Sequence, residues 1–221
     1  FTIEYTLRAT PMPRAAEPTR KRILEAAYRL FRRQGYSRVS MDEIAAAAKL
    51  TKRTLYHHFE SKDQLLAEVL AEQHELALQA FRTFGDKLSG SPEQIVAGMF
   101  CDLAVWADRP RWAGSGFTRL VIELADLPGH PARRIARRHK AQLEGCLADL
   151  LAQSGVDRSK ELARAVWLLS EGAMSLILVH GDRGYSAAAS QAATMLVQQY
   201  LSAQLVNPLP PSSSMSASTD T

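Results

Sequence analysis

From residue 19 to about residue 205, apolar positions recur every three or four residues, and no alternating run of strand type exceeds a few positions. The first stripe is Ile23, Ala26, Ala27, Leu30 and Phe31, with Thr19 placed to cap it and Gly35 to stop it. Ser40-Met-Asp-Glu43 is a capping box that opens a short helix with Ile44, Ala45 and Ala48 inward. Thr51 is a good N-cap for a third, very short helix bearing Leu55, Tyr56 and Phe59. Ser61-Lys-Asp-Gln64 is a second box, which begins a long helix running to about Phe84. A third box, Ser91-Pro-Glu-Gln94, places Pro92 at the first helical position, where its missing N–H costs nothing. Further helices are predicted over roughly 92–107, 116–126, 131–153, 159–180 and 187–205. Their breaks are Asp108-Arg-Pro, Leu127-Pro-Gly-His-Pro131, Ser154-Gly-Val-Asp157 and Gly181-Asp-Arg-Gly184. The expected fold is all-α, with about nine helices and no repeat of fixed period.

The 221 residues are 46% hydrophobic and 23% charged, ordinary values that exclude wholesale disorder. Cys101 and Cys146 are too few for a disulfide framework, contain no C-x-x-C pair, and read as small buried hydrophobes. No stretch is expected to span a membrane, because the most apolar run, 162–179, contains Arg164, Ser170, Glu171 and Ser175. The opening FTIEYTLRAT lacks a basic-then-apolar signal, and Met12 opens a plausible start, so residues 1–11 read as upstream sequence. The expected compartment is the cytoplasm.

Charge changes the picture more than composition does. The net +4 conceals eleven basic residues against four acidic ones between Pro18 and Lys62, a local +7, which leaves −3 for the remainder. A basic module on a slightly acidic body points to a polyanionic partner. A second basic run, Arg133, Arg134, Arg137, Arg138 and Lys140, reads as a solvated helix face.

Residues 40–60, SMDEIAAAAKLTKRTLYHHFE, have the grammar of a helix-turn-helix. Small residues at 45–48 allow two short helices to approach closely. The second helix presents Lys52, Arg53, Thr54 and His57 on one face and Leu55 and Phe59 on the other. In this geometry the second helix enters the major groove of duplex DNA, where an Arg can pair with guanine through two hydrogen bonds. Adjacent His57 and His58 lie on different helix faces, which argues against a metal pair.

The segment Thr19–Leu66 resembles the DNA-binding domain of TetR-family transcriptional repressors. The matching runs are T-R-K-R-I-L-E-A-A-Y-R-L-F-R-R-Q-G-Y, I-A-A-A-A and T-L-Y-H-H-F-E-S-K-D-Q-L-L. The resemblance implies that Thr51, Lys52, Arg53, Thr54 and His57 lie at or near the groove, that Tyr56 and Lys62 reach phosphates, and that Ser40 caps its helix and donates to a phosphate. It also implies a helix-turn-helix domain over 19–62 and an effector-binding and dimerisation body over 63–206. The residues themselves read as a flexible arm over 1–18, with Pro11, Pro13 and Pro18 and no sustained periodicity, and a disordered Pro- and Ser-rich tail over 207–221. The family commonly has Gly where this chain has Lys49, at a turn that often requires positive φ, and a small residue where it has Arg53.

Trp106, Trp112, Phe117, Trp167 and Met174 are candidates either for core or for the walls of a ligand cavity, with Glu123, His139 and Glu171 as polar groups inside the bundle. The resemblance favours the cavity, because the family's C-terminal bundle encloses an effector site. Helices 159–180 and 187–205 are apolar on more than one face, and the family makes a four-helix homodimer interface from this pair. The expected function is a repressor on a near-palindromic operator, released by a small molecule, with no cofactor, metal or membrane partner. The alternatives are a constitutive dimeric DNA binder lacking a cavity of roughly 300 Å³, and an all-helical enzyme. Against the enzyme, the sequence has no Gly-rich phosphate loop, no H-E-x-x-H and no G-x-S-x-G.

Overall fold

The computed structural model describes residues 17–87 and 90–206. The expected tail over 207–221, and the expected arm apart from its last two positions, lie outside the described residues. Nine helices and no strands occur among the described residues: α1 (Glu17–Gln34), α2 (Met41–Ala47), α3 (Lys52–His58), α4 (Lys62–Lys87), α5 (Pro92–Ala107), α6 (Gly116–Glu123), α7 (Pro131–Gln153), α8 (Ser159–His180) and α9 (Gly184–Val206).

The capping chemistry accounts for most boundaries. At α2 and α5, Ser40 and Ser91 accept from the third helical amide while Glu43 and Gln94 reach back to the cap amide. At α4, Ser61 Oγ accepts from the Gln64 amide, but Gln64 turns to the Glu60 amide instead of the cap's own. The start of α1 corrects the sequence expectation. Helix is already present at Glu17, the first described residue, so Thr19 lies inside the helix and does not cap it. α9 begins at Gly184, earlier than expected, with Asp182 Oδ1 accepting from the Gly184 amide at 2.8 Å.

Two cores result. The first encloses α1–α3, with Ile23, Phe31, Ile44, Leu55 and Phe59 all buried, and draws in Leu66 and Leu70 of α4, Phe117 and Leu120 of α6, and Ala132 and Ala136 of α7. The second joins α4, α5, α7, α8 and α9 around Phe100, Leu147, Leu162, Val166 and Val197. α4 and α7 belong to both, so the three-helix N-terminal end and the body share two long helices.

Three expectations fail at this level. Cys101 is exposed and Cys146 half-buried, because each falls on the rim of its helix's buried stripe; burial still pushes the Cys146 thiol above its ordinary value. α8 is long and apolar enough to cross a membrane, its most apolar stretch averaging a hydropathy of 1.6. It packs against both α7 and α9 and buries Leu162, Ala163, Val166, Ala173 and Ile177. Lys140 does not share the solvated basic face of α7 that Arg134, Arg137 and Arg138 occupy; it turns inward to pair with Glu171.

Candidate nucleic-acid interface and effector cavity

The candidate nucleic-acid surface is built on a turn that the sequence barely permits. α2 ends with the Lys49 amide donating to Ala46 O at 3.0 Å and the Leu50 amide to Ala45 O at 2.9 Å, the paired bonds of a Schellman stop. That stop needs left-handed backbone at residue 49, and Lys49 adopts it with φ 56. Arg22 of α1 braces the strained residue, its Nη2 donating to Ala48 O at 2.6 Å and to Lys49 O at 3.3 Å.

α3 follows, capped by Thr51, whose hydroxyl accepts from the Thr54 amide at 3.1 Å. One face of this helix is sealed, with Leu55 and the adjoining Phe59 fully buried. The other carries exposed Lys52, Arg53, Tyr56 and His57, with Thr54 half-buried. Arg53, Thr54 and His57 line one shallow surface concavity. Lys52 pairs with Asp42 at 2.9 Å, which holds α3 to α2 and raises the ammonium's pKa. The Thr51–His57 candidates therefore gather on a single outward surface.

Ser40 and Lys62 carry additional contacts that sequence reasoning missed. The Ser40 hydroxyl donates to Glu43 Oε2 at 2.8 Å, and the cap bonds keep the Glu43 carboxyl below its ordinary value. Lys62 Nζ donates to Tyr36 O and Val39 O, each at 3.1 Å, and lies 4.3 Å from the Tyr36 ring centroid. Lys62 thus staples the α1–α2 turn to the start of α4. Nearby, the Tyr36 hydroxyl donates to Asp63, and burial holds the phenol's pKa above its usual value. His130, the N-cap of α7, accepts from the Ala132 amide through Nδ1 and directs Nε2 to Asp63 at 3.5 Å.

Residues 23–69 match the family model of the bacterial regulatory proteins, tetR family. The N-terminal domain belongs to the TetR family. This TetR-type head is 41% identical over 71 residues to the transcriptional regulator UidR of Escherichia coli K12, covering 32% of this chain and 36% of that protein. It is 44% identical over 79 residues to the regulator AcrR of Shigella flexneri, covering 34% and 37%. The chain thus spans little more than a third of the length of these relatives. Likeness across the whole fold comes from solved structures. A TetR-family transcriptional regulator from Streptomyces coelicolor matches at TM-score 0.75 and 25% identity, over 83% of this chain and 96% of that one. A TetR transcriptional regulator from Streptomyces avermitilis matches at 0.71 and 29%, over 82% and 97%.

Behind the TetR-type head, the body holds two adjoining cavities of about 80 Å³ and about 140 Å³, both lined by Trp106, Ser115 and His139. The larger also brings together Trp167, Glu171 and Met174, and the smaller Phe117. Trp112 lines neither and packs edge-on against Trp106 at 5.4 Å. Glu123 departs from its expected place inside the bundle. It sits at the rim of the smaller cavity, exposed, with Oε2 accepting from the Ser37 amide at 3.1 Å and the Ser37 hydroxyl at 3.3 Å. Gly35 makes this possible, since it has φ 87 and a Cβ there would lie 2.7 Å from Glu123 Oε1.

Proposed function

We propose that the protein is a sequence-specific DNA-binding transcription regulator acting as a cytoplasmic homodimer, a repressor that leaves its operator when a small molecule enters the body. The carrying observation is the two-sidedness of α3: Leu55 is fully buried, while Arg53, Tyr56 and His57 project together into solvent. Such a helix docks in a major groove with its exposed N-terminal side chains on base edges. Arg53 reads guanine in this account. Thr51, Lys52, Thr54 and His57 flank it, and Tyr56, Ser40 and Lys62 lie toward phosphates.

A second copy is supported by an apolar stripe on α8 and α9. Leu168, Gly172, Ser175 and Val179 share one exposed line of α8, with Leu168 and Val179 73% and 74% exposed; Met195 of α9 is 69% exposed. Two-fold pairing through this stripe covers it and presents two copies of α3 about one helical turn of DNA apart.

The route from cavity to head runs along α6. At its N-terminus, Ser115 Oγ lies 3.3 Å from Lys140 Nζ, and the Thr118 hydroxyl donates to Glu171 Oε2 at 3.0 Å. Further along, Arg119 Nη1 donates to Arg32 O of α1 at 3.1 Å, and Glu123 holds Ser37. A ligand that rearranges Lys140 and Glu171 pulls on the strut that meets α1. A constitutive binder is the competing reading, favoured by the size of the cavities, each below the roughly 300 Å³ of a drug-sized site. Unbranched Met99 and Met174 line the larger one and can repack around a guest.

Selection from random duplexes tests the DNA reading. The wild-type chain should enrich a near-palindrome, and Arg53→Ala should weaken it by about 1–3 kcal/mol and relax preference at one base pair per half-site. Unchanged preference in Arg53→Ala refutes the assignment.

A further inference from the structure

The polar groups around the larger cavity divide unevenly into engaged acceptors and spare donors. Glu171 already accepts from both Lys140 Nζ and the Thr118 hydroxyl. Asp102 makes contacts of its own within the bundle. Trp167, by contrast, has its indole Nε1–H buried with no acceptor.

His139 supplies a second donor. His74 of α4 and His139 of α7 share a contact between their Nδ1 atoms at 3.1 Å, so one of the two rings must carry hydrogen there. His74 is 2% exposed, and its Nε2 is buried without a partner. If His139 donated, His74 would keep its one hydrogen on that orphaned Nε2. Buried N–H groups without acceptors are the rarer kind of orphan, so His74 donates from Nδ1 and leaves a bare lone pair behind. His139 then holds its hydrogen on Nε2. Burial, followed by the neighbouring Lys140 and His74, pushes the His139 pKa down to about 3, so the ring is neutral. It is fixed by stacking on Phe117, at 3.7 Å between centroids and 8° between planes, and it lines both cavities.

His139 therefore brings one N–H donor to a space walled by Phe81, Met99, Trp106, Leu143 and Met174, while the Trp167 N–H is shielded from it. An anionic guest would be brought against the carboxylates of Asp102 and Glu171. A cationic guest would sit against the Lys140 ammonium. Neither charge finds a free partner, and burying a charge without one is costly. We propose that the cavity takes an uncharged aromatic molecule carrying a carbonyl-type acceptor oxygen, held by the Nε2–H of His139 between the rings of Trp106 and Trp167, a reading that rests on the effector site proposed above.

The test titrates the full chain, by tryptophan fluorescence, with four tricyclic probes of one shape: fluorenone, fluorene, fluorene carboxylate and aminofluorene as its ammonium. Fluorenone should bind at least about tenfold more tightly than the other three, the discrimination a donor-lined site makes against an analogue lacking the acceptor. His139→Phe keeps a ring and removes the donor, so it should lower fluorenone affinity about tenfold more than fluorene affinity. Preference for the carboxylate or the ammonium overturns the ligand class and leaves the cavity standing. Silence from all four overturns the effector cavity, and the class with it. An independent readout is ¹⁵N NMR of the histidines in the unliganded chain. Hydrogen on Nδ1 of His74 and Nε2 of His139 supports the arrangement, and the reverse pair of tautomers overturns it.

Discussion

Replacing Lys49 by glycine should stabilise this protein, although the substitution removes a side chain and adds nothing. Lys49 has φ 56, in the left-handed region, where an L-residue's Cβ crowds the following carbonyl at a cost of about 1–2 kcal/mol. Glycine abolishes that cost but gains freedom in the unfolded chain, which returns about 0.4–1 kcal/mol to the unfolded state. The net expectation is about 0.5–1 kcal/mol of added stability, because the Lys49 side chain is exposed and its backbone bonds to Ala46 and Arg22 survive the change. The assay is urea unfolding followed by circular dichroism, read as a midpoint shift at constant slope. Lys49→Ala separates backbone from charge: it removes the ammonium and keeps the crowded Cβ, so its midpoint should not rise with that of Lys49→Gly. A loss of stability in Lys49→Gly, or an equal gain in Lys49→Ala, refutes the strain argument.

Two further outcomes concern assembly and coupling. Leu168→Glu places a charge in the middle of the exposed α8 stripe, so it should shift a dimeric mass to a monomeric one in sedimentation at micromolar concentration and lower operator affinity at least tenfold; an unchanged dimer places the interface elsewhere. Arg119→Ala removes the bond from α6 to Arg32 O, so fluorenone should bind as before while its effect on operator affinity shrinks about fivefold or more, and an undiminished effect rules out α6 as the route.

What could be read from the sequence was mostly what neighbours in the chain decide. Caps at Ser40, Thr51 and Ser91 are bonds between residues three apart, and helix ends follow from them. The face of α3 was legible for the same reason, since burial of Leu55 fixes where Arg53 and His57 point. Lys49 was legible as a question, and φ 56 answers it with strain. The misreadings involve partners far away along the chain. Glu123 was expected inside the bundle, but it lines the smaller cavity from an exposed rim, held there by Ser37, 86 positions earlier. Lys140 was grouped with the arginines before it, and only the α7–α8 packing brings it to Glu171, 31 positions later. The His74–His139 contact spans 65 positions and left no local trace.

α6 draws these long-range contacts together, and its length explains why it can. Eight residues are too few to hold a helix by backbone bonds alone, so its position follows from what grips it. Phe117 and Leu120 anchor one face in the core that also holds α1–α3. The remaining grip is polar and sits at two separated places: Thr118 and Ser115 on the Glu171–Lys140 pair, and Arg119 and Glu123 on α1 and the turn after it. A net hydrogen bond contributes about 0.5–1.5 kcal/mol, so exchanging two of them at the cavity end is worth about 1–3 kcal/mol. That is the range of coupling energies by which one ligand changes a protein's affinity for another. In the proposed mechanism a larger movement of the body is not required: two polar contacts, exchanged for contacts to a guest, would supply enough free energy to weaken a hold on DNA.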